Sequence, residues 1–460
     1  MANKPNTQPP KGSRDFLPRE VRKREHVLEK VRAVYHRYGF EPLETPAMER
    51  LDTLLGKYGE EGDQLIFRVL ERGAELGRAL DKVRAGEPGD DPRAAFKQAE
   101  RALADTALRY DLTVPLARVV AQYQNELPRF FKRYQCQPVW RADRPAKGRF
   151  REFYQCDVDI IGSESLLCEL EVCSAVCEVL NGLGFDDYRI RLNHRGLLRG
   201  LVEAAGIPLD KEVDAITALD KLDKVGVDGV REELAQRGIP GEQAGRFVEN
   251  LDRAQSDPRA AVSSEAALRA VDALAQLQTW ASDTPCGARL SLDLSLARGL
   301  GYYTGPIFEV QVADLAGSLG GGGRYDGLVG MFLGNRQLPA VGFSLGLERI
   351  LVVMEERGMF PALASSAQVM VLQLDEATAP QTLKLLHAIR AGGISAELYP
   401  QVDKLGKQFQ YAEGRGAQVV AFVGAAERDA GVCALKVMKT QQQVSAPLTD
   451  PLGVLRGLLA

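Results

Sequence analysis

The stretch from Phe131 to Gly162, FKRYQCQPVWRADRPAKGRFREFYQCDVDIIG, most constrains the fold, because it reads as two strands with polar side chains at every second position. Arg133, Gln135, Gln137 and Arg141 share one side of the first strand, and Phe153, Gln155, Asp157 and Asp159 share one side of the second. Tyr134, Cys136 and Trp140 point the other way. The connecting loop gathers Arg144, Pro145, Lys147, Gly148, Arg149 and Arg151 around Phe150, a cationic tip suited to polyphosphate or nucleic acid. A polar hairpin face is either a ligand surface or simply solvated.

The rest of the chain limits what that face can serve. At 460 residues the chain is too long for one core, so two or three domains are expected. A formal net charge of -4 excludes a uniformly basic field, and any nucleic-acid contact must use local patches. There is no signal-like apolar segment at the N-terminus and no apolar run of membrane length, which reads as a cytoplasmic protein with no membrane partner. Seven cysteines without a Cys-x-x-Cys pair suggest neither a disulfide framework nor a zinc knuckle. Cys168, Cys173 and Cys177 fall in a helical apolar pattern and read as core rather than ligands. The four histidines are widely separated, with no HExxH pair, and no metal-binding residues are assigned.

Residues 18–38 have the pattern of an amphipathic helix, and GFEPLETPAMERL follows as an extended stretch. Residues 71–105, charged and Ala-rich, read as an inserted helical loop. ALRYDLTVPLAR reads as a strand placing Arg109, Asp111 and Thr113 on one face before a helix near Pro115. Residues 204–282 read as a helical inserted subdomain, residues 361–366 as a linker, and residues 367–460 as a separate α/β domain with parallel pairing. Residues 1–360 form the larger domain in this reading.

Two motifs invite other chemistries. Gly320–Gly323 either lets backbone approach a ligand or makes a tight turn, and no Walker or Rossmann pattern accompanies it. Gly342–Gly346 matches the GxSxG of hydrolases, placed between a strand and a helix, but its only downstream partners in hydrolase order, Asp375 and His387, bring a base from the C-terminal domain. Arg141, Arg298 and Arg349 each lie near a strand end, and three guanidinium groups can hold a triphosphate without a phosphate loop.

Together these segments resemble the histidyl-tRNA synthetase family of class II aminoacyl-tRNA synthetases. GFEPLETPAMERL is similar to class II motif 1, Phe131–Gly162 to motif 2, and AVGFSLGLERI to motif 3. LARGLGYYTGPIFE and LGGGGRYDGLVGMF resemble the two histidine-specific signatures, while AELYP, KLGKQFQYA and CALKVMKT resemble the anticodon-binding domain. The resemblance implies an α+β catalytic domain built on a six-stranded antiparallel sheet, dimerised through motif 1, with a C-terminal α/β anticodon-binding domain. It implies a ligase that activates L-histidine with ATP and Mg2+ and passes it to its tRNA. Arg141 would hold the α-phosphate, Arg349 the γ-phosphate, and Arg298 the developing charge. Asp111, Thr113 and Gln155 would take the ammonium, Asp159 and Tyr303 the imidazole, and Tyr302 would line the pocket. The chain departs from many relatives in carrying aspartate rather than glutamate at 111 and 159, and glycine at 301 where aspartate or asparagine is usual. A regulatory paralogue without catalysis is the non-enzyme alternative, and the retained Arg298, Tyr302, Tyr303 and tail argue against it.

Overall fold

The computed structural model describes residues 5–58, 62–85, 102–297, 301–315, 317–334, 336–361 and 367–459. Two compact units divide the chain, Met1–Met359 and Phe360–Ala460. Eleven strands are described in the first: β1 (Glu41–Pro42), β2 (Met48–Arg50), β3 (Arg68–Val69), β4 (Thr106–Leu108), β5 (Phe131–Trp140), β6 (Glu152–Ile161), β7 (Arg189–His194), β8 (Leu290–Leu292), β9 (Pro306–Gln311), β10 (Ser318–Arg324) and β11 (Ala340–Gly346).

The main sheet runs β1-β5-β6-β11-β10-β9-β7-β8. It is eight-stranded and mixed, which corrects the expected six-stranded antiparallel sheet. The six central strands are antiparallel, but β1 pairs parallel to β5 and β8 parallel to β7 at the two edges. A parallel neighbour needs a long crossover. For β7 and β8 that crossover is a helical stretch, with helices Arg195–Ala204, Glu212–Leu219, Leu222–Gln236, Gly241–Ser256 and Glu265–Ala281 between the two strands. A smaller sheet, β2-β4-β3, brackets the 71–105 segment: β3 and β4 pair antiparallel on either side of it, and the helix Gly73–Ala85 lies within it.

Period-2 patterning gives the main sheet two unlike faces. The helix Pro18–Arg37, begun by Pro18 in its first turn, buries Val27, Leu28, Val31, Val34 and Tyr35 at helical spacing, each worth about 1.5–3 kcal/mol. It packs on helices Leu167–Gly182 and Leu347–Glu356. Its Tyr35 hydroxyl donates to the Cys156 carbonyl of β6 at 3.4 Å, and His36 Nε2 meets the Tyr134 hydroxyl of β5 at 2.7 Å. The helices therefore cover the face of Tyr134 and Cys136. Cys173 and Cys177 are buried in the helix Leu167–Gly182, and desolvation raises both thiols, Cys177 to about 12. Among the described residues no group of three or more His, Cys, Asp or Glu could hold a metal ion, and no helix is long and apolar enough to cross a membrane.

The second unit carries β12 (Val369–Val371), β13 (Ala396–Leu398), β14 (Val419–Phe422), β15 (Val432–Val437) and β16 (Gln443–Pro447), ordered β13-β12-β14-β15-β16. The first three pair in parallel and the last two antiparallel. Val369, Val371, Leu385, Ile389, Val419 and Leu435 are fully buried in its own core.

Candidate functional site

The register of β5, β6, β11 and β10 turns the polar face into ordered rows. Arg133, Asp159, Gly342 and Gly323 align across the four strands, and Gln135, Asp157, Ser344 and Gly321 form the next row. Gln137, Gln155 and Gly346 make the third. Polar side chains on the hairpin thus border a floor of glycine and serine. The glycines are required by closeness: a Cβ on Gly342 would collide with the Asp159 carboxyl lying across it, and one on Gly323 would come within 2.8 Å of the Tyr303 ring. Gly320–Gly323 is therefore strand rather than a turn, and Gly342–Gly346 is likewise strand throughout rather than the sharp strand-to-helix turn of a hydrolase nucleophile.

Above this floor lies a cleft of about 310 Å³, lined by Asp111, Thr113, Arg141, Gln155, Asp159, Tyr302, Tyr303 and Arg349. Every expected site residue that is described lines this one cavity. Arg298 lies outside the described residues. The cleft also takes in residues outside the expected ligand set: Asp157, Ser344 and Tyr325, with Asp143, Arg149, Phe150 and Glu348. Tyr58 joins them indirectly, donating its hydroxyl to Asp111 Oδ1 at 3.0 Å.

One end is acidic and deeply buried. Asp111, Asp157 and Asp159 are each 2% exposed. Arg133, fully buried, places Nη2 2.9 Å from Asp159 Oδ2 and 3.7 Å from Asp157 Oδ2. Tyr325 donates to Asp159 Oδ1, while Asp111 accepts from the Val114 amide at 3.0 Å and from the Tyr302 hydroxyl at 3.4 Å. The expected strand through Thr113 is corrected by this contact. β4 ends at Leu108, and Asp111 instead satisfies an amide in the first turn of the helix Thr113–Gln122. Gln155 Oε1 and Asp157 Oδ1 are buried without a hydrogen-bond partner. Orphaned buried acceptors are costly unless a ligand supplies donors.

Burial drives the carboxyls toward their neutral forms. Desolvation raises all three, with the Arg133 charge opposing it, and lifts Asp157 from 3.8 to about 7. In the unfolded chain the same group ionises near 3.8, so its contribution to stability is greatest below that pH and fades as pH rises through about 7. Asp157→Asn is therefore expected to raise the melting temperature of the ligand-free protein more at pH 8 than at pH 4.5. An equal change at both pH values would contradict it.

The other end is basic. Arg141 follows β5 directly; its Nε donates to the Tyr110 carbonyl at 3.0 Å and its guanidinium sits 4.3 Å from the Tyr110 ring centre and 5.1 Å from that of Phe153. Arg349 Nη1 donates to the Ser318 carbonyl at 2.5 Å. The hairpin tip is less openly cationic than its composition suggests, because Lys147 pairs with Glu356 at 2.6 Å and Arg149 with Asp143 at 3.1 Å. Glu348 is committed to Arg24 at 2.8 Å and to the Tyr154 amide at 2.9 Å. Among the described residues this end offers no protein cage for a divalent ion, and a magnesium ion entering here would rest mainly on ligand phosphates.

The histidyl-tRNA synthetase family profile matches residues 12–81 and 78–350, and an anticodon-binding-domain profile matches residues 368–458. The histidine-tRNA ligase of Christiangramia forsetii is 41% identical over 470 aligned residues, covering 99% of this chain and 100% of that protein. That of Porphyromonas gingivalis is 44% identical, covering 95% and 96% respectively. The crystal structure of histidyl-tRNA synthetase from Nostoc sp. PCC 7120 matches with a TM-score of 0.77 at 30% identity, covering 99% of this chain and 100% of that one. A structure from Bacillus halodurans, described as an ATP phosphoribosyltransferase regulatory subunit/histidyl-tRNA synthetase, shares the fold at 21% identity and a TM-score of 0.70. On these full-length matches, the chain belongs to the histidyl-tRNA synthetase family.

Proposed function

We propose that the protein ligates L-histidine to its tRNA through a histidyl-adenylate, as an ATP-dependent aminoacyl-tRNA ligase of protein biosynthesis. The observation that carries this reading is one cleft with two opposed ends: three buried carboxyls against a single fully buried arginine, then Arg141 and Arg349. The acidic end suits a ligand bearing an ammonium and a ring N–H. The basic end suits a polyphosphate.

Asp111, Thr113 and Gln155 accept the ammonium, and Asp159, aimed by Tyr325, accepts from one imidazole nitrogen while Tyr303 meets the other. Tyr302 closes the pocket wall and holds Asp111. A wrong amino acid would leave these buried groups unpaired, which is the strong form of discrimination. The histidine carboxylate then attacks the α-phosphorus of ATP, and the bond to pyrophosphate breaks. Arg141 holds the α-phosphate and Arg349 the γ-phosphate, while Arg298 stabilises the charge growing on the phosphate oxygens. Magnesium bound with the nucleotide would supply charge neutralisation to the leaving pyrophosphate. In the second step a terminal tRNA hydroxyl attacks the acyl carbon, and AMP leaves.

The finer reading extends to a cytoplasmic homodimer joined through residues 39–51, with residues 1–360 catalytic and residues 367–460 reading the anticodon. Removing everything after residue 360 is expected to keep histidine-dependent ATP–pyrophosphate exchange while lowering charging of histidine tRNA by more than about tenfold. Radiolabelled histidine transfer beside exchange tests this. Equal loss of both activities would contradict the separation, and no transfer by the full-length protein would contradict the function.

A further inference from the structure

The Gln155 side chain presents two ends of nearly the same shape, and only its hydrogen-bond neighbours decide which one faces the ligand. Its Nε2 donates to Ser344 Oγ at 2.6 Å, and Oε1 is left buried without a protein partner. Ser344 lies on β11 directly opposite Asp157 on β6, which brings its hydroxyl beside the Asp157 carboxyl. A serine hydroxyl carries one proton. Given to Asp157, that proton leaves only lone pairs toward Gln155, so the amide nitrogen alone can bond there. Gln135, across β5 from Asp157, does not compete, because its Nε2 is engaged by Thr45 Oγ1 at 3.0 Å and Gln137 Oε1 at 2.6 Å.

We propose that Ser344 is a positioning residue for amino-acid binding: held by Asp157, it fixes the Gln155 amide so that Oε1 faces the ligand ammonium. The proposal rests on the histidine reading and adds to it the polarity of the floor. Without the serine hydroxyl the amide is free to turn, and its N–H groups would then oppose the ammonium. The serine of GFSLG thereby gains a role unrelated to nucleophilic attack.

The test uses the full-length protein and histidine-dependent ATP–pyrophosphate exchange. Ser344→Ala is expected to raise the KM for histidine about tenfold, with kcat and the KM for ATP within about twofold of the parent. In Ser344→Ala/Gln155→Glu the carboxylate accepts through either oxygen and needs no orienting, so most of the histidine KM should return. An unchanged histidine KM in Ser344→Ala would overturn the proposal, as would a defect confined to kcat or one that Gln155→Glu does not relieve. Absence of histidine-dependent exchange in the parent protein would instead overturn the histidine reading itself, and the proposal with it.

Discussion

Arg133→Met is expected to cost the N-terminal unit about 3–5 kcal/mol of stability at pH 8, the loss typical of removing one partner from a buried ionic cluster. Arg133 is fully buried, 2.9 Å from Asp159 and 3.7 Å from Asp157, and it donates to the Leu112 carbonyl and to Gln135 Oε1, both at 3.3 Å. Without its charge, Asp157 and Asp159 face each other in a site that already favours their neutral forms. They can answer by taking up protons, so the loss should shrink toward pH 5. Denaturant unfolding at the two pH values measures this. A loss below about 1 kcal/mol, or one independent of pH, would show that Arg133 does not hold the acidic end together. Arg109 marks the contrast: it is also buried, but donates to the carbonyls of Thr45, Pro46 and Pro138 and so ties the segment after β1 to β5 rather than holding carboxylates.

Arg141→Ala is expected to slow adenylate formation by at least about a hundredfold, or ~3 kcal/mol, because the lost group would hold the α-phosphate in place for attack and stay on it as the bond to pyrophosphate breaks. Its Nε is committed to the Tyr110 carbonyl, and the rings of Tyr110 and Phe153 flank the guanidinium, so its plane is set before a ligand arrives. Lysine should recover little, since a point charge reproduces neither the fork nor the stacking. Single-turnover formation of histidyl-adenylate is the measurement. Near-normal rates in Arg141→Ala would remove it from the reaction.

The hairpin and its ligand face are legible in the sequence because β5 and β6 are long enough for period-2 patterning to show, and the register Arg133 to Asp159 follows from it. The parallel pairing of β1 and β8 is not, since two- and three-residue strands carry too short a pattern to fix a partner, and the mixed edges of the sheet stay hidden for that reason. The glycine run leaves close approach and a tight turn equally open in the sequence, because its glycines are demanded by neighbours distant in sequence, Tyr303 among them. The same holds for the site. Asp111, Gln155 and Arg141 were found through motifs, whereas Tyr58, Tyr325 and Ser344 act on those residues from other elements and become visible only once the chain is folded. Arg133 sat on the expected face, but nothing in a sequence separates an arginine that holds carboxylates from one that holds a ligand. At Gly301 an added Cβ would meet nothing within 4 Å among the described residues, so closeness of neighbours does not require the glycine there.

ATP–pyrophosphate exchange by the purified protein, run with each standard amino acid at matched concentration, tests the central claim most directly. Exchange that depends on histidine alone is the predicted result. Exchange with another amino acid, or none in folded protein that still binds histidine, would contradict it, and the second outcome would favour a regulatory chain that keeps the synthetase fold.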